Sequence, residues 1–356
     1  MPDTPVLRLA VLGAAHPHVT YALDELAHRD DLELVAVGDP DPDLAAQYAH
    51  PHAARTYTDH HTLLAQEHPD VVVVAGIYGD RAQAVIDALD AGAHVLADKP
   101  LCTSLKDLDL IEEAALRSGR TVSLLLEKRH YPETVAARRL MAEGELGTLA
   151  MIASTGPHKL NRAGRPDWFW HRRSYGGIIG DLAVHDIDLV LHLSGATEGT
   201  VSAVSGPGAG DPAPGARDFP DDLSLYGAVL LTAGNLVATI DVSWLTPAAS
   251  PWHGDYFMRL TGTRGIAELH WARNQLTVVT DTRAPYSVDL PERRRPGAEA
   301  LAAFATGGTP EVGTSQSLAA TRIALLAQDS ADHAGATRRW TTTPEPAAPA
   351  QGGTIR

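Results

Sequence analysis

The 356-residue chain has one cysteine, Cys102, and only four lysines, Lys99, Lys106, Lys128 and Lys159. A lone cysteine excludes an internal disulfide and fits a reducing cytoplasm. No uninterrupted apolar run approaches the ~20 residues that span a bilayer. Met1-Pro2-Asp3-Thr4-Pro5 lacks the basic and apolar blocks of a secretory leader. Basic residues are fewer than acidic ones, 29 Lys+Arg against 44 Asp+Glu, giving a formal net charge of -15. That balance argues against nucleic acid or an anionic membrane as partner. Histidine is plentiful, at 17 residues, and Asp181 and His185 with His158 or His270 would be the nearest to a metal set. No Cys pair or His-Glu-x-x-His run supports it, and no metal is expected. The shortage of lysine is itself a signal. A chain that defaults to arginine keeps lysine where a compact cation able to lose its proton is needed.

What is present begins with rhythm. The first third alternates short β-branched runs with helical patterns, the signature of parallel βαβ units. Residues 6–13 and 32–38 read as strands, with helices over 17–29 and around 43–49. Residues 71–75 are wholly apolar, as in a central strand covered on both faces. A helix over 81–91 stopped by Gly92, a strand at 94–97, a helix over 104–118 and a strand at 121–126 follow. The fold class is therefore α/β, with an N-terminal Rossmann-type doubly wound parallel sheet over 1–126.

After about residue 127 the pattern changes. A helix near 133–143, a strand at 149–155 and a helix ending at Gly195 lead to strand-like runs at 200–204, 223–231, 236–244, 256–261, 265–270 and 275–280. Ala233-Gly234-Asn235 and Gly262-Thr263-Arg264-Gly265 carry hairpin chemistry. Residues 127–342 read as an α+β domain with a large open, mainly antiparallel sheet and a last helix over about 315–334. Residues 206–220, rich in Gly, Pro and Asp, are expected to form a mobile loop, and 343–356 a disordered tail.

Two places carry chemistry. A strand, a tight turn, a helix and an acid closing the second strand make the dinucleotide-binding plan. The turn here is Gly13-Ala14-Ala15-His16-Pro17-His18 and the acid is Asp39, at the spacing the plan requires. Asp39 would accept hydrogen bonds from ribose hydroxyls and repel a 2′-phosphate, which favours NAD over NADP. Only one of the three usual glycines remains, so the turn alone also fits an ordinary strand–helix connection. The second place is Gly176-Gly177-Ile178-Ile179-Gly180-Asp181-Leu182-Ala183-Val184-His185-Asp186-Ile187-Asp188. As one helix it sets Asp181, His185 and Asp188 on a single face, bringing a carboxylate to an imidazole and orienting a general base. Asp188 reads as structural, and the glycines leave a bare surface where a flat ligand can lie. Ala97-Asp98-Lys99-Pro100 follows a strand at the sheet edge where ligands bind, and a residue before proline is constrained. Lys99, His185 and Asp181 are then a cation, a base and an orienting acid. These groups can take a proton from an alcohol while a hydride leaves the same carbon.

With those segments in this order, the chain resembles the Gfo/Idh/MocA oxidoreductases from Val6 to about Trp340. Ala97-Asp98-Lys99-Pro100-Leu101 is similar to the family's Glu-Lys-Pro segment, with Asp for Glu, and Arg129-His130-Tyr131-Pro132 to its Arg-Phe-x-Pro. Gly144-Glu145-Leu146-Gly147 resembles its Gly-x-Leu-Gly, 176–188 its Gly-Gly…Asp-x-x-x-His-x-x-Asp helix, and Leu260-Thr261-Gly262-Thr263-Arg264-Gly265 its late hairpin. Two segments depart from the family: the glycine turn, and Gly76-Ile77-Tyr78-Gly79-Asp80-Arg81 where a Thr-Pro-x-x-x-His loop is usual.

The resemblance implies NAD(P)-dependent hydride transfer at a hydroxyl-bearing carbon of a sugar, inositol or related polyol. It also implies a homodimer or homotetramer formed through the C-terminal sheet. Lys99 would stabilise the alkoxide, His185 would be base in oxidation and acid in reduction, and Asp181 would hold a substrate hydroxyl and bias the imidazole. Cofactor contacts are expected at Gly13, Ala14, Ala15, His16, Pro17, His18 and Asp39, at Ala75, Gly76 and Ile77, and at Asp98 and Lys99. Substrate contacts are expected at Lys99, Arg129, His158, Trp168, Trp170, Asp181 and His185, the tryptophans forming an aromatic wall. Two other activities follow the same resemblance: redox-assisted glycoside cleavage with tightly held NAD, and NAD or sugar sensing without turnover.

Overall fold

A computed structural model describes residues 6–206 and 223–342. The expected tail at 343–356 and nearly all of the expected loop at 206–220 lie outside the described residues.

The β-branched runs of the first third form six parallel strands: β1 (Leu7–Leu12), β2 (Leu32–Gly38), β3 (Arg55–Tyr57), β4 (Val71–Val74), β5 (His94–Ala97) and β6 (Val122–Leu124). Their order is β3-β2-β1-β4-β5-β6, the doubly wound arrangement in which ligands bind at the strands' carboxyl ends. Alternate residues of β1 enter opposite cores, Leu9 and Val11 on one face and Ala10 and Leu12 on the other. All four valines of β4 are buried for the same reason. The covering helices are α1 (Val19–Leu23), α2 (Pro42–Ala49), α3 (His60–Glu67), α4 (Arg81–Asp90) and α5 (Leu105–Ser118). Asp41, Asp59 and Ser104 cap three of them by accepting first-turn amides. The helix expected over 17–29 is split. Past α1 the chain tightens into a 3-10 turn, Asp24–Ala27, which buries Glu25 against Arg295, Nε to Oε1 at 2.5 Å.

The second sheet contains β7 (Leu149–Pro157), β8 (Glu198–Gly206), β9 (Tyr226–Ala233), β10 (Leu236–Ser243), β11 (Phe257–Gly262), β12 (Gly265–His270), β13 (Gln275–Thr280), β14 (Arg283–Ser287) and β15 (Arg338–Thr341). Their order is β14-β13-β12-β11-β7-β10-β9-β8-β15, antiparallel throughout except for β7 beside β10. Period-two patterning explains its two faces. In β10, Leu236, Ala238, Ile240 and Val242 are buried while Val237, Thr239 and Asp241 are exposed. The remaining helices are α6 (Pro132–Ala142), α7 (Arg172–Tyr175), α8 (Val184–Ser194), α9 (Ala298–Ala305) and α10 (Thr314–Asp332). Of these, α6, α8 and α10 pack against the buried face. The opposite face stays open and carries exposed Met151, Val204, Tyr226, Leu230 and Val237.

The first sheet ends with β6 at Leu124 and the second begins with β7 at Leu149, but the chain later returns to the first. Ala300, Leu301 and Phe304 of α9 join the core around Leu9 and Val11. At the edge strand β6, Thr314 Oγ1 accepts from the Val122 amide at 3.0 Å and Ser317 Oγ from the Leu124 amide at 3.0 Å. Ser317 also donates to the Val122 carbonyl at 3.2 Å. Its hydroxyl is fully buried, so Ser317→Ala strands two backbone groups away from water. We expect a loss of about 1–3 kcal/mol, read as a lower urea midpoint at unchanged slope; an unchanged midpoint would discount this closure.

Candidate active site

Beside the carboxyl ends of β1, β4 and β5 lies a cavity of about 730 Å³, walled on its far side by His158, Trp168, Phe169, Trp244 and Tyr256. Gly13 shapes the near side. Its φ is +76°, and a Cβ there would lie 2.6 Å from the Gly76 backbone, so only glycine lets the turn cross the loop after β4. The His16 amide donates to the Ala75 carbonyl at 2.8 Å, and the Ala75 amide to the Gly13 carbonyl at 3.1 Å. Asp39, next after β2, accepts the amides of Ala14 at 2.8 Å and Asp41 at 2.9 Å. Its carboxylate therefore pins the turn and still has lone pairs for further donors.

The two histidines of the turn, His18 at the third glycine position and His16 before it, converge on Asp98. His16 Nδ1 is 2.9 Å and His18 Nδ1 2.8 Å from this fully buried carboxylate, which also takes Arg81 at 2.7 Å. The same guanidinium, itself buried, donates to the carbonyls of Gly76, Asp98 and Pro100, each at 2.9 Å. One five-donor fork thus locks the loop after β4 to the segment carrying Lys99. Burial pushes the Asp98 carboxyl up, but the Arg81 charge, with the contacts of His16 and His18, outweighs it and holds it well below the ordinary range. Burial lowers His16 to about 4, leaving it neutral. His16, His18 and Asp98 are also the one trio of possible metal ligands that comes together among the described residues. Arg81 on the same carboxylate opposes a cation there.

The glycine-rich helix departs from the expected geometry. Gly176 and Gly177 have φ of +85° and +112°, and added Cβ atoms would strike Thr103 and Gln328 at 2.5 and 2.3 Å. They serve close packing and left-handed backbone, not a bare ligand floor. Residues Ile179–Ala183 form a π-helical turn ahead of α8, and the wider turn breaks the single face. Each acid consequently meets its own partner. Asp181 takes Lys99 Nζ at 2.5 Å, beside a cis Lys99–Pro100 bond. Asp186 takes Lys128 Nζ at 2.9 Å and Ser154 Oγ at 2.8 Å. Asp188 takes Arg129 through two bonds of 2.7 and 2.6 Å. All six charged side chains are buried.

His185 is therefore not oriented by Asp181. Its Nδ1 faces Glu127 Oε2 at 3.6 Å. Burial, then the charges of Lys99 and Lys128, hold His185 well below its usual range, so the ring is neutral. Burial pushes Glu127 up. His185 Nδ1, Glu127 Oε2 and Asp181 Oδ2 are buried and make no hydrogen bond among the described residues. Orphaned buried atoms are uncommon, and two of these, on His185 and Glu127, belong to residues lining the cavity, which fits a ligand rich in hydroxyls. Opposite, His158 donates Nδ1–H to the Gly156 carbonyl at 2.9 Å, and burial keeps it neutral, with Nε2 left as an acceptor.

Of the expected contacts, Ala15, His16, Pro17, His18, Lys99, His158, Trp168 and His185 line the cavity. Gly13, Ala14, Asp39, Ala75, Gly76 and Asp98 build or brace the turn, Ile77 lies outside the lining, and Asp181 supports Lys99. Two expectations are corrected. Arg129 does not face substrate; its fork is spent on Asp188 and the Glu311 carbonyl, away from the cavity. Trp170 is outside the lining and lies under Arg162 at 5.8 Å. Glu127, Trp244, His253 and Tyr256 line the cavity without having been singled out. Glu127 sits directly before the lysine and arginine that clamp α8, and that adjacency was its available signal.

Residues 7–125 match a family model described as an oxidoreductase family with an NAD-binding Rossmann fold, and residues 134–268 match the GFO/IDH/MocA C-terminal domain. D-glucoside 3-dehydrogenase of Escherichia coli (strain K12) is 28% identical over 193 residues, 53% of this chain and 54% of that protein. The NAD(+) scyllo-inositol 2-dehydrogenase of Bacillus subtilis (strain 168) is 27% identical over 203 residues, 57% of each chain. The chain thus spans somewhat over half the length of these curated relatives. A solved Thermotoga maritima protein shares the fold with a TM-score of 0.84 at 23% identity, over 94% of this chain and 100% of that one.

Arg81→Met keeps the bulk of the side chain and removes every bond of the fork. Asp98 then loses its cation while buried, at a cost of about 3–5 kcal/mol. A urea midpoint within error of wild type would show that Arg81 does not anchor the Lys99 segment.

Proposed function

Because the chain belongs to the Gfo/Idh/MocA family of oxidoreductases, we propose that it transfers a hydride between NAD and a hydroxyl-bearing carbon of a sugar, inositol or related polyol. The observation that carries this reading is the placement of Lys99 and His185 on one cavity wall, with Asp181 behind the lysine. Lys99 donates a hydrogen bond to the reacting hydroxyl and stabilises alkoxide charge as it develops. His185, kept neutral by burial, takes the hydroxyl proton on the nitrogen facing the cavity in oxidation and returns it in reduction. Asp181 holds Lys99 in place rather than biasing the imidazole. His158 Nε2 accepts a second hydroxyl, and Trp168 and Trp244 form an apolar wall of the same cavity.

The residues present fit a dinucleotide: the turn after β1 lies at the carboxyl ends of the strands, its residues Ala15 to His18 line the cavity, and an acid closes β2. Ala15 to His18 and Asp39 would hold it, braced by Ala14, Ala75, Gly76 and Asp98 behind the turn, and when bound its nicotinamide accepts or supplies the hydride. NAD is favoured over NADP because the Asp39 carboxylate opposes a 2′-phosphate and neighbouring Pro40 and Asp41 add no cation. The lone, buried free Cys102 supports a cytoplasmic setting, and no described helix is long and apolar enough to cross a membrane. The open face of the second sheet supports a homodimer or homotetramer.

Calorimetric titration should show NAD binding at least about tenfold tighter than NADP, a difference near 1.4 kcal/mol. Binding of neither nucleotide removes the reading. On the polyol that is turned over, His185→Ala and Lys99→Gln should each lower kcat by about 10²–10⁴-fold while NAD binding persists. Near wild-type turnover in both variants would sink it. For assembly, Leu230→Asp combined with Val237→Asp should reduce the mass in light scattering to one chain. An unchanged oligomer places the contact elsewhere.

A further inference from the structure

We infer that Glu127 is a positioning residue for His185: its carboxylate fixes the imidazole Nδ1–H and supplies the counter-charge when Nε2 takes a proton. The inference rests on the dehydrogenase reading above and departs from the expectation that Asp181 orients the base.

The geometry comes from a short zipper. Residues Glu127–His130 form a 3-10 turn two residues after β6, and they lie along the helix that carries His185. Glu127 faces His185, Lys128 holds Asp186 and Arg129 holds Asp188. Two buried ion pairs thus clamp the residues following Glu127, which leaves its carboxylate little choice of neighbour. The Glu127 side chain is 11% exposed and His185 4%, and the facing atoms, Oε2 and Nδ1, make no hydrogen bond among the described residues. At 3.6 Å they fall just short of one, and a shift of about half an ångström closes it.

The charges around the ring require such a partner. Lys99 and Lys128 oppose a positive charge on His185, and the rings of His18 and His158 stand beside it. Asp181, four residues before His185, is engaged by Lys99. Glu127 in turn is faced by His18, Lys99 and Asp98, and by the phenols of Tyr21, Tyr131 and Tyr256. A neutral ring with its proton on Nδ1 presents the Nε2 lone pair to the cavity, the tautomer a base needs. In oxidation the substrate O–H bond breaks and its proton forms the Nε2–H bond. Nδ1–H stays hydrogen-bonded to Glu127, which is neither oxidised nor reduced, and the hydride leaves by the dehydrogenase reaction itself.

The test uses the full chain labelled with 15N-histidine, with His185→Asn to identify the ring signals. Wild type should show the Nδ1–H tautomer at neutral pH. Glu127→Gln keeps an accepting oxygen and should keep the tautomer while losing the charge; Glu127→Leu should lose the tautomer. With NAD and a turned-over polyol, Glu127→Gln should lower kcat by at least about tenfold with KM nearly unchanged, and Glu127→Asp should recover part of the rate. A Glu127→Leu protein that keeps the wild-type tautomer overturns the inference, as does wild-type kcat in Glu127→Gln. If wild type oxidises no polyol, the dehydrogenase reading fails, yet the tautomer measurement still decides whether Glu127 orients the ring.

Discussion

Burying a charge is tolerable only when it is paired, and that constraint organises this molecule. Three acids along the π-helical turn and α8, Asp181, Asp186 and Asp188, are all buried, and each draws a cation from a loop of the first domain or the segment just after it. Replacing such a pair with well-packed apolar residues is often neutral or stabilising, whereas removing one member costs about 3–5 kcal/mol. The pairs therefore position more than they stabilise. They fix the helix, the Lys99 segment and the 127–130 turn as one unit, and the cavity is where these three meet.

The nucleotide side follows the same logic with different residues. Where three glycines would let a backbone approach pyrophosphate, this chain retains Gly13 and adds two imidazoles. Asp98 collects both, and Arg81 collects Asp98 together with three carbonyls. The expected family loop, Thr-Pro-x-x-x-His, is absent because its place is taken by the segment that ends in this arginine. Two buried fork and pair systems thus flank Lys99, one holding its backbone and the other its ammonium.

Much of the fold was legible because periodicity reports burial. The wholly apolar β4 and the alternating β10, β12 and β13 announced a covered parallel sheet and a one-sided antiparallel one. β3 escaped because its three residues carry no buried side chain. β14, α9 and β15 lay beyond the last clear alternation, and α9 joins a core formed almost 300 residues earlier. At the site, Lys99, Asp181 and His185 were readable from residue type and spacing. Their pairing was not, since a π-helical turn is invisible to a 3.6-residue period. That turn gives Asp181 to Lys99 and leaves His185 facing Glu127. Arg129 was misassigned because an arginine near a site reads the same whether it meets a ligand or a buried acid.

The central claim is that Lys99 and His185 act on one hydroxyl while Asp181 serves the lysine. A crystal structure of the full chain with NAD and the polyol it turns over tests this most directly. The account predicts one hydroxyl oxygen within hydrogen-bonding distance of both Lys99 Nζ and His185 Nε2, with Asp181 still on Lys99. A polyol whose hydroxyls reach neither group, or an imidazole turned onto Asp181, would contradict it.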